Sequence, residues 1–553
     1  MKTYQIVQKV ALALLGGVLL FSVSACKKAV NPIENLNLII DYNIIKTTLD
    51  VQLVDATTGR ILNSEASQGA YVKYSGPDED AVVDVLGVRP TDKKFGVSRG
   101  LTTLALVPNA PYEPSPEDAV NFNVIAHVQG YLVSSKEVNI TQKGRNFVSI
   151  SLVPLSNPPS GVFVRQEHNA ATTQAGRVVA PGSVVVPGGS ARVTIPEGML
   201  IRDSGGNPLS GSLDVTLVRF SNTDPQSIAA FPGGLLPTVT RLDGSTTNGM
   251  MYSGGFVAIE IKDANGNIAA TFEDGKLGLI TLIDAQTYNP ITKTNIAVGD
   301  VVPLWSLNEN TGVWKEEGAA TALMLEGSLH FEVELSHLSY YNFGWLQGTV
   351  CENSSPFQFT TNVPLTGPFL IKGYVYRQDD NVLISTIVVW VESAQSTFTT
   401  YAPAGVPLRI VWDTQNSTYL SVDPSSQPTL IDDLCSSQPV NVNLIVSQDP
   451  SLKEINISVS LVCTSDNSTI IKPSFTAYYI PKNSQVDPIA VEMVQGNATI
   501  PGITLGQTYY VWITYDNKEY GTDVEVTQET YNYLNYELPA DVCDEVVSAL
   551  DGL

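Results

Sequence analysis

Apolar side chains in this sequence recur at every second position, and that period constrains the fold more than any other feature. Leu49, Val51 and Leu53 alternate with Asp50 and Gln52. Leu213, Val215 and Leu217 repeat the pattern, and so do Leu329, Phe331, Val333 and Leu335. Residues i and i+2 of an extended strand face the same side, so each run has one face for a core and one for water. Beyond residue 21, no segment of 12 or more residues carries a convincing helical period. The body is therefore expected to be all-β. Among 553 residues, 42 are glycine, 33 are proline and 16% are charged, a mix that suits short strands joined by tight turns. A chain this long exceeds one core and should divide into about three to five domains.

Turn chemistry separates the strands. Ser204-Gly205-Gly206-Asn207 reads as a hairpin, and Asp263-Ala264-Asn265-Gly266-Asn267 carries the Asn-Gly signal of a two-residue turn. Asn310-Thr311-Gly312-Val313-Trp314 turns back into a closing strand that ends at His337-Leu338-Ser339-Tyr340-Tyr341-Asn342.

The N-terminus is different. Lys2 and Lys9 precede an apolar run of twelve residues, Val10 to Phe21. That run is shorter than the roughly 20 residues a bilayer span needs and fits the core of a signal peptide. Val23-Ser24-Ala25-Cys26 then resembles a bacterial lipobox. The resemblance implies cleavage before Cys26, acylation of its thiol and attachment to the cell outer membrane. Residues 1–25 are then the signal peptide and 26–45 a tether. Lys27 and Lys28 differ from the acidic cluster that follows the cysteine in surface-exported lipoproteins of Bacteroidota, so the final leaflet stays open.

Residues 46–156 resemble the carboxypeptidase regulatory-like domain, a transthyretin-like β-sandwich. The matching elements are the strand ending in Asp55-Ala56-Thr57-Thr58-Gly59, Gly69-Ala70-Tyr71-Val72, Gly130-Tyr131 and the terminal Leu152-Val153-Pro154. That resemblance implies a non-catalytic structural or binding module. Residues 157–346 are similar to the β-sandwich units of ankyrins, netrin receptors and cartilage intermediate layer proteins. The shared pieces are Gly188-Gly189 with Val193-Thr194-Ile195-Pro196-Glu197-Gly198, then Thr311-Gly312-Val313-Trp314, then His337-Leu338-Ser339.

The last two units, 347–445 and 446–553, look like copies. Val350-Cys351 echoes Val462-Cys463, and Asp433-Leu434-Cys435 echoes Asp541-Val542-Cys543. The gaps are 84 and 80 residues, which points to one cross-link per copy, Cys351 with Cys435 and Cys463 with Cys543. Four cysteines allow three connectivities, so other pairings stay open. The expected fold is thus a string of antiparallel transthyretin-like or immunoglobulin-like sandwiches behind a lipidated N-terminus.

Chemistry is sparse. A net charge of −24 offers no basic footprint for nucleic acid and would be repelled by anionic lipid. The four histidines are His127, His168, His330 and His337, and no zinc-protease, nucleophile-elbow or phosphate-loop motif is present. In the autoproteolytic domain of adhesion receptors, which the middle unit also resembles, a His-hydrophobic-Ser triplet cleaves its own backbone. Carried over, His337 is the base and Ser339 attacks the carbonyl of Leu338. A structural histidine at the end of a core strand, buried beside Leu335 and Trp314, is the expectation preferred here. Asp263 to Asn267, and Asp78-Glu79-Asp80 with Asp84, are weighed as calcium loops and read as a turn and a solvated acidic loop. No metal or cofactor is expected. Tyr478, Tyr479, Tyr509, Tyr510, Trp512, Tyr531, Tyr533 and Tyr536 form either a sugar-stacking platform or strand residues of a core.

The sequence reading is therefore a non-catalytic, lipid-anchored envelope protein presenting its sandwiches for binding or adhesion, with a protein or a glycan as ligand. The alternatives are a glycan-binding accessory lipoprotein of a polysaccharide-uptake system and a domain that cleaves itself at Leu338-Ser339.

Overall fold

A computed structural model describes residues 38–41, 47–85, 87, 89–107, 112–115, 118–351, 355–365, 369–379, 381–391, 395–398, 402–414, 417–436, 438–463, 469–484, 486–515 and 518–538. Their regular secondary structure is nearly all strand, as the period-two alternation predicts. The fold is all-β.

Three segments share one seven-stranded topology. In the first, the strands are Thr47–Asp55, Tyr71–Ser75, Lys94–Gly96, Leu101–Leu106, Val120–His127, Ser134–Ile140 and Gly144–Leu152. One sheet has the order fourth, first, seventh, with the short strand Val82–Val83 beside the fourth; the first strand is antiparallel to the fourth and parallel to the seventh. The facing sheet has the order third, second, fifth, sixth, antiparallel throughout. Leu49, Val51, Val72, Phe122, Val124 and Ile150 fill the space between them.

The same order and the same parallel closure recur between Phe357–Thr361 and Val440–Val446, and again between Leu452–Cys463 and Thr530–Leu538. The second sheets match too: Leu383–Val391, Phe369–Arg377, Leu408–Asp413 and Thr429–Ile431 in one, Ile489–Met493, Phe475–Pro481, Thr508–Tyr515 and Lys518–Glu525 in the other. The last two sandwiches therefore share a strand order, and the first is a third instance of it.

Between them lies a larger unit, in which an eleven-stranded sheet faces a five-stranded one. Val193, Leu217, Ile259, Leu279, Phe331 and Phe343 pack between the two sheets. Phe220, Phe256 and Trp314, on the other side of the large sheet, join an apolar cluster that continues into Phe357, Ile371 and Trp412 of the next sandwich.

The sandwiches are folded back on one another. Asp487 of the last one accepts the Ile61 amide of the first at 3.2 Å and pairs with Lys372 of the sandwich that precedes it at 3.6 Å. Arg99 and Glu519 pair at 3.1 Å across the same junction.

Two expectations change. The tether was expected to run to residue 45, but Leu38–Asp41 is a strand that pairs in parallel with Thr469–Lys472 of the last sandwich. The closing strand was expected to run from Leu329 to an end at His337-Leu338-Ser339-Tyr340-Tyr341-Asn342. Instead Ser328–Leu335 ends in the small sheet and Tyr340–Gln347 begins in the large one. Residues 336–339 are the crossover between the sheets, so no strand alternation governs where their side chains point.

Candidate functional site

The outer face of one sheet of the first sandwich stands opposite the large sheet of the middle unit. A cavity of about 1580 Å³ lies between them. Tyr71, Lys73 and His127 line one wall, and Glu260, Lys262 and Glu309 line the other. Clefts between domains are where ligand sites concentrate, because two separately folded surfaces supply the walls.

Direct hydrogen bonds fix the rim. Asn123 Nδ2 donates to the Glu309 carbonyl oxygen at 2.6 Å, and Tyr340 Oη donates to the Val133 carbonyl oxygen at 2.7 Å. Thr238 Oγ1 donates to Glu137 Oε1 at 3.1 Å. Gly312 has φ +74°, and a Cβ built there would lie 2.8 Å from Asn123 Oδ1. The glycine read as a turn residue therefore also lets the turn dock on the first sandwich.

The cleft shifts its titrating groups. Burial, reinforced by the negative charge of Glu260, pushes the Glu309 carboxyl up to about 7. Burial also raises Glu137, against the hydrogen bonds from Thr238. His127 is pushed down to about 4 by burial and then by the positive charges of Lys73, Lys94 and Lys262. Its ring stacks on Tyr71 at 4.8 Å. The arrangement offers both signs of charge beside apolar faces, which suits a polar ligand.

His337, Leu338 and Ser339 also line this cleft. Ser339 Oγ donates to the Leu307 carbonyl oxygen at 2.7 Å. His337 Nε2 lies 3.3 Å from Glu317 Oε1, and Tyr341 Oη donates to the His337 carbonyl oxygen. The imidazole thus turns to a carboxylate and the serine to a carbonyl. His337 was expected to be buried beside Leu335 and Trp314, but its side chain is 31% exposed. The crossover carries it out of the core.

The remaining candidates are dispersed. Asp263 Oδ1 accepts the amides of Asn265 and Asn267 at 2.9 and 3.0 Å, and Gly266 has φ +82°. That is a side-chain-closed turn. Asp78 Oδ2 caps the Asn121 amide at 2.7 Å, while Glu79 pairs with Lys93 and Asp80 with Arg89. Among the described residues no three His, Cys, Asp or Glu side chains converge as metal ligands.

Tyr478, Tyr479, Tyr509 and Trp512 are buried, so their faces are not free to stack on a sugar. Cys351 and Cys435 are joined by a disulfide. Cys463 is disulfide-bonded, and Cys26 and Cys543 lie outside the described residues. Glu137, Glu260 and Glu309 were not singled out in the sequence. They come from separate strands and a hairpin turn, and no spacing links them.

No family model matches this chain, and no curated protein matches it. Among solved structures it is similar to the Bacillus anthracis TIE protein, at 10% identity and TM-score 0.14, over 68% of this chain and 75% of that one. It is similar to the full-length RrgB pilus protein of Streptococcus pneumoniae, at 8% identity and TM-score 0.14, over 89% and 98%. A third likeness is to two B repeat units of the collagen binding protein of Staphylococcus aureus, at 9% identity and TM-score 0.12, over 87% and 100%. At these scores the likeness carries no argument about what this chain does.

Proposed function

We propose that this chain is a non-catalytic lipoprotein of the cell envelope, held at the outer membrane by acylated Cys26, that binds a polar ligand in the cleft between its first sandwich and its middle unit. The observation that carries the reading is the cleft itself. Its rim is fixed by three hydrogen bonds between units, and Lys73, Lys262, Glu260 and Glu309 face its interior. A fixed rim lowers the ordering cost of binding, and mixed charges select orientation.

The lipobox resemblance supplies the address, since two or three acyl chains hold a soluble body firmly to a bilayer. A glycan strand and an extended peptide both fit a polar cleft of this size.

Binding of the purified mature chain to arrays of neutral and acidic oligosaccharides and of peptides tests the reading. Ligands that bind the wild type and are lost in Lys73→Glu and Glu260→Lys are expected. Binding that survives both changes, or no binding to either array, would sink it.

A further inference from the structure

The three sandwiches of common topology differ in how tightly they close. In the first, the inward residues Leu49, Val51 and Leu53 are at most 2% exposed. In the third segment of the chain to be so built, their counterparts behave otherwise. Ile455 and Leu461 are buried, but Ile457 and Val459 between them are only half-buried. The closing strands show the same contrast. Val148, Ile150 and Leu152 are buried in the first sandwich and Val442, Leu444 and Val446 in its next relative, whereas Tyr531, Tyr533 and Tyr536 are half-buried. Val491, Val511 and Val524 on the facing sheet are half-buried as well.

A cavity of about 190 Å³ separates these sheets. Its walls are aliphatic and aromatic, and none of its lining residues is Asp, Glu, Lys, Arg or His. A cavity of about 150 Å³ with such walls stays dry and takes benzene, so by the same measure this slot has room for a hydrocarbon segment of about seven carbons. A sugar would lose its hydrogen bonds there.

The chain's own path adds a second observation. Leu38–Asp41 pairs with Thr469–Lys472, which pairs with Leu461–Val462 in the sheet that walls the slot. The 12 residues from Cys26 to Leu38 reach at most about 40 Å, at about 3.4 Å per residue. An acyl anchor on Cys26 would therefore keep this sandwich within that distance of the lipid.

We infer that the slot between the sheets of the last sandwich takes in the terminal carbons of a single fatty acyl chain. Proximity to lipid rests on the proposed anchor, whereas the slot's affinity for an acyl chain does not.

The test uses mature full-length chain carrying Cys26→Ser, which needs no detergent. Nitroxide-labelled stearate in solution is one probe, and vesicles of nitroxide-labelled phosphatidylethanolamine are the other. Trp512 stands in the strand that walls the slot, next to Val511, with its ring on the far face against Arg99, so saturable quenching of tryptophan fluorescence is expected from at least one probe, and the arm that quenches identifies free acid or membrane lipid as the source. Trp512→Phe should remove most of that quench. Filling the slot with Ala477→Leu and Ala498→Leu, or with Val491→Phe alone, should weaken binding by roughly tenfold or more. Those variants should melt at or above the wild-type temperature.

No saturable quench from either probe would overturn the inference. So would a folded, filled variant that binds like wild type, or a quench unchanged in Trp512→Phe. None of these outcomes bears on whether Cys26 is acylated in cells, which is read separately by fractionation.

Discussion

Arg145 closes on Asp50 at 2.5 Å with both side chains almost wholly buried, and the same guanidinium sits 4.4 Å from the ring centre of Trp390 in another sandwich. Tyr478 of the last sandwich reaches Asp50 at 3.5 Å and Thr103 at 3.3 Å. One buried ion pair therefore meets three of the sandwiches.

Removing one partner leaves the other charged in a site without water. Arg145→Ala or Asp50→Ala is expected to cost about 3–5 kcal/mol in the first sandwich. Trp390→Ala, which removes a cation–π contact and apolar area, should cost about 2 kcal/mol at the junction. Urea unfolding followed by limited proteolysis checks both, since cleavage products show which unit opens.

The cleft carboxyl gives a pH dependence with a defined sign. Glu309 binds its proton up to about 7 when folded and releases it near 4.5 when unfolded, so its contribution to stability is lost as pH rises through that window. His127, pushed down to about 4, acts oppositely between 4 and 6.5, where the unfolded chain binds the extra proton. Above pH 6.5 only the Glu309 effect of the two remains. The melting temperature should fall between pH 6.5 and 8, and Glu309→Gln should flatten that fall. Between pH 4.5 and 6.5 the two effects oppose each other, so His127→Gln should uncover a fall in melting temperature there.

The Cys351–Cys435 bond closes a loop of 84 residues. In the chain-entropy picture such a loop is worth about 4 kcal/mol. Reduction, or Cys351→Ala with Cys435→Ala, should lower the stability of residues 355–446 by about that much. Non-reducing peptide mapping should recover the pair.

Ser339 Oγ donates a hydrogen bond to the Leu307 carbonyl oxygen, and His337 faces Glu317. Purified protein should therefore run as one band under denaturing conditions. Ser339→Ala should leave the band unchanged and cost about 1 kcal/mol for the lost hydrogen bond. Two fragments meeting at Leu338-Ser339 and lost in Ser339→Ala would contradict this.

Strands and turns were legible because they are local. Leu49, Val51 and Leu53 announce a buried face, and Asn265-Gly266 announces a turn, from neighbours alone. The cysteine echo exposed two related units, but the first sandwich has no matching cysteines, and its kinship appears only in strand order.

What the sequence hid is what depends on distant partners. Asp50 looked like the polar half of an alternation and is 1% exposed, because Arg145 comes from a strand 95 residues later. Leu38–Asp41 looked like tether because its partner strand begins at Thr469. Glu309 carried no signal in the sequence because part of the wall of its cleft belongs to another unit.

The central claim is a binding body anchored through Cys26, and fractionation of cells expressing wild type and Cys26→Ala tests it most directly. Wild type should partition into the detergent phase as a chain whose N-terminus is acylated Cys26. Cys26→Ala should appear uncleaved or in the soluble fraction. If Cys26→Ala matures and partitions like wild type, the anchor is not at this residue and the account fails.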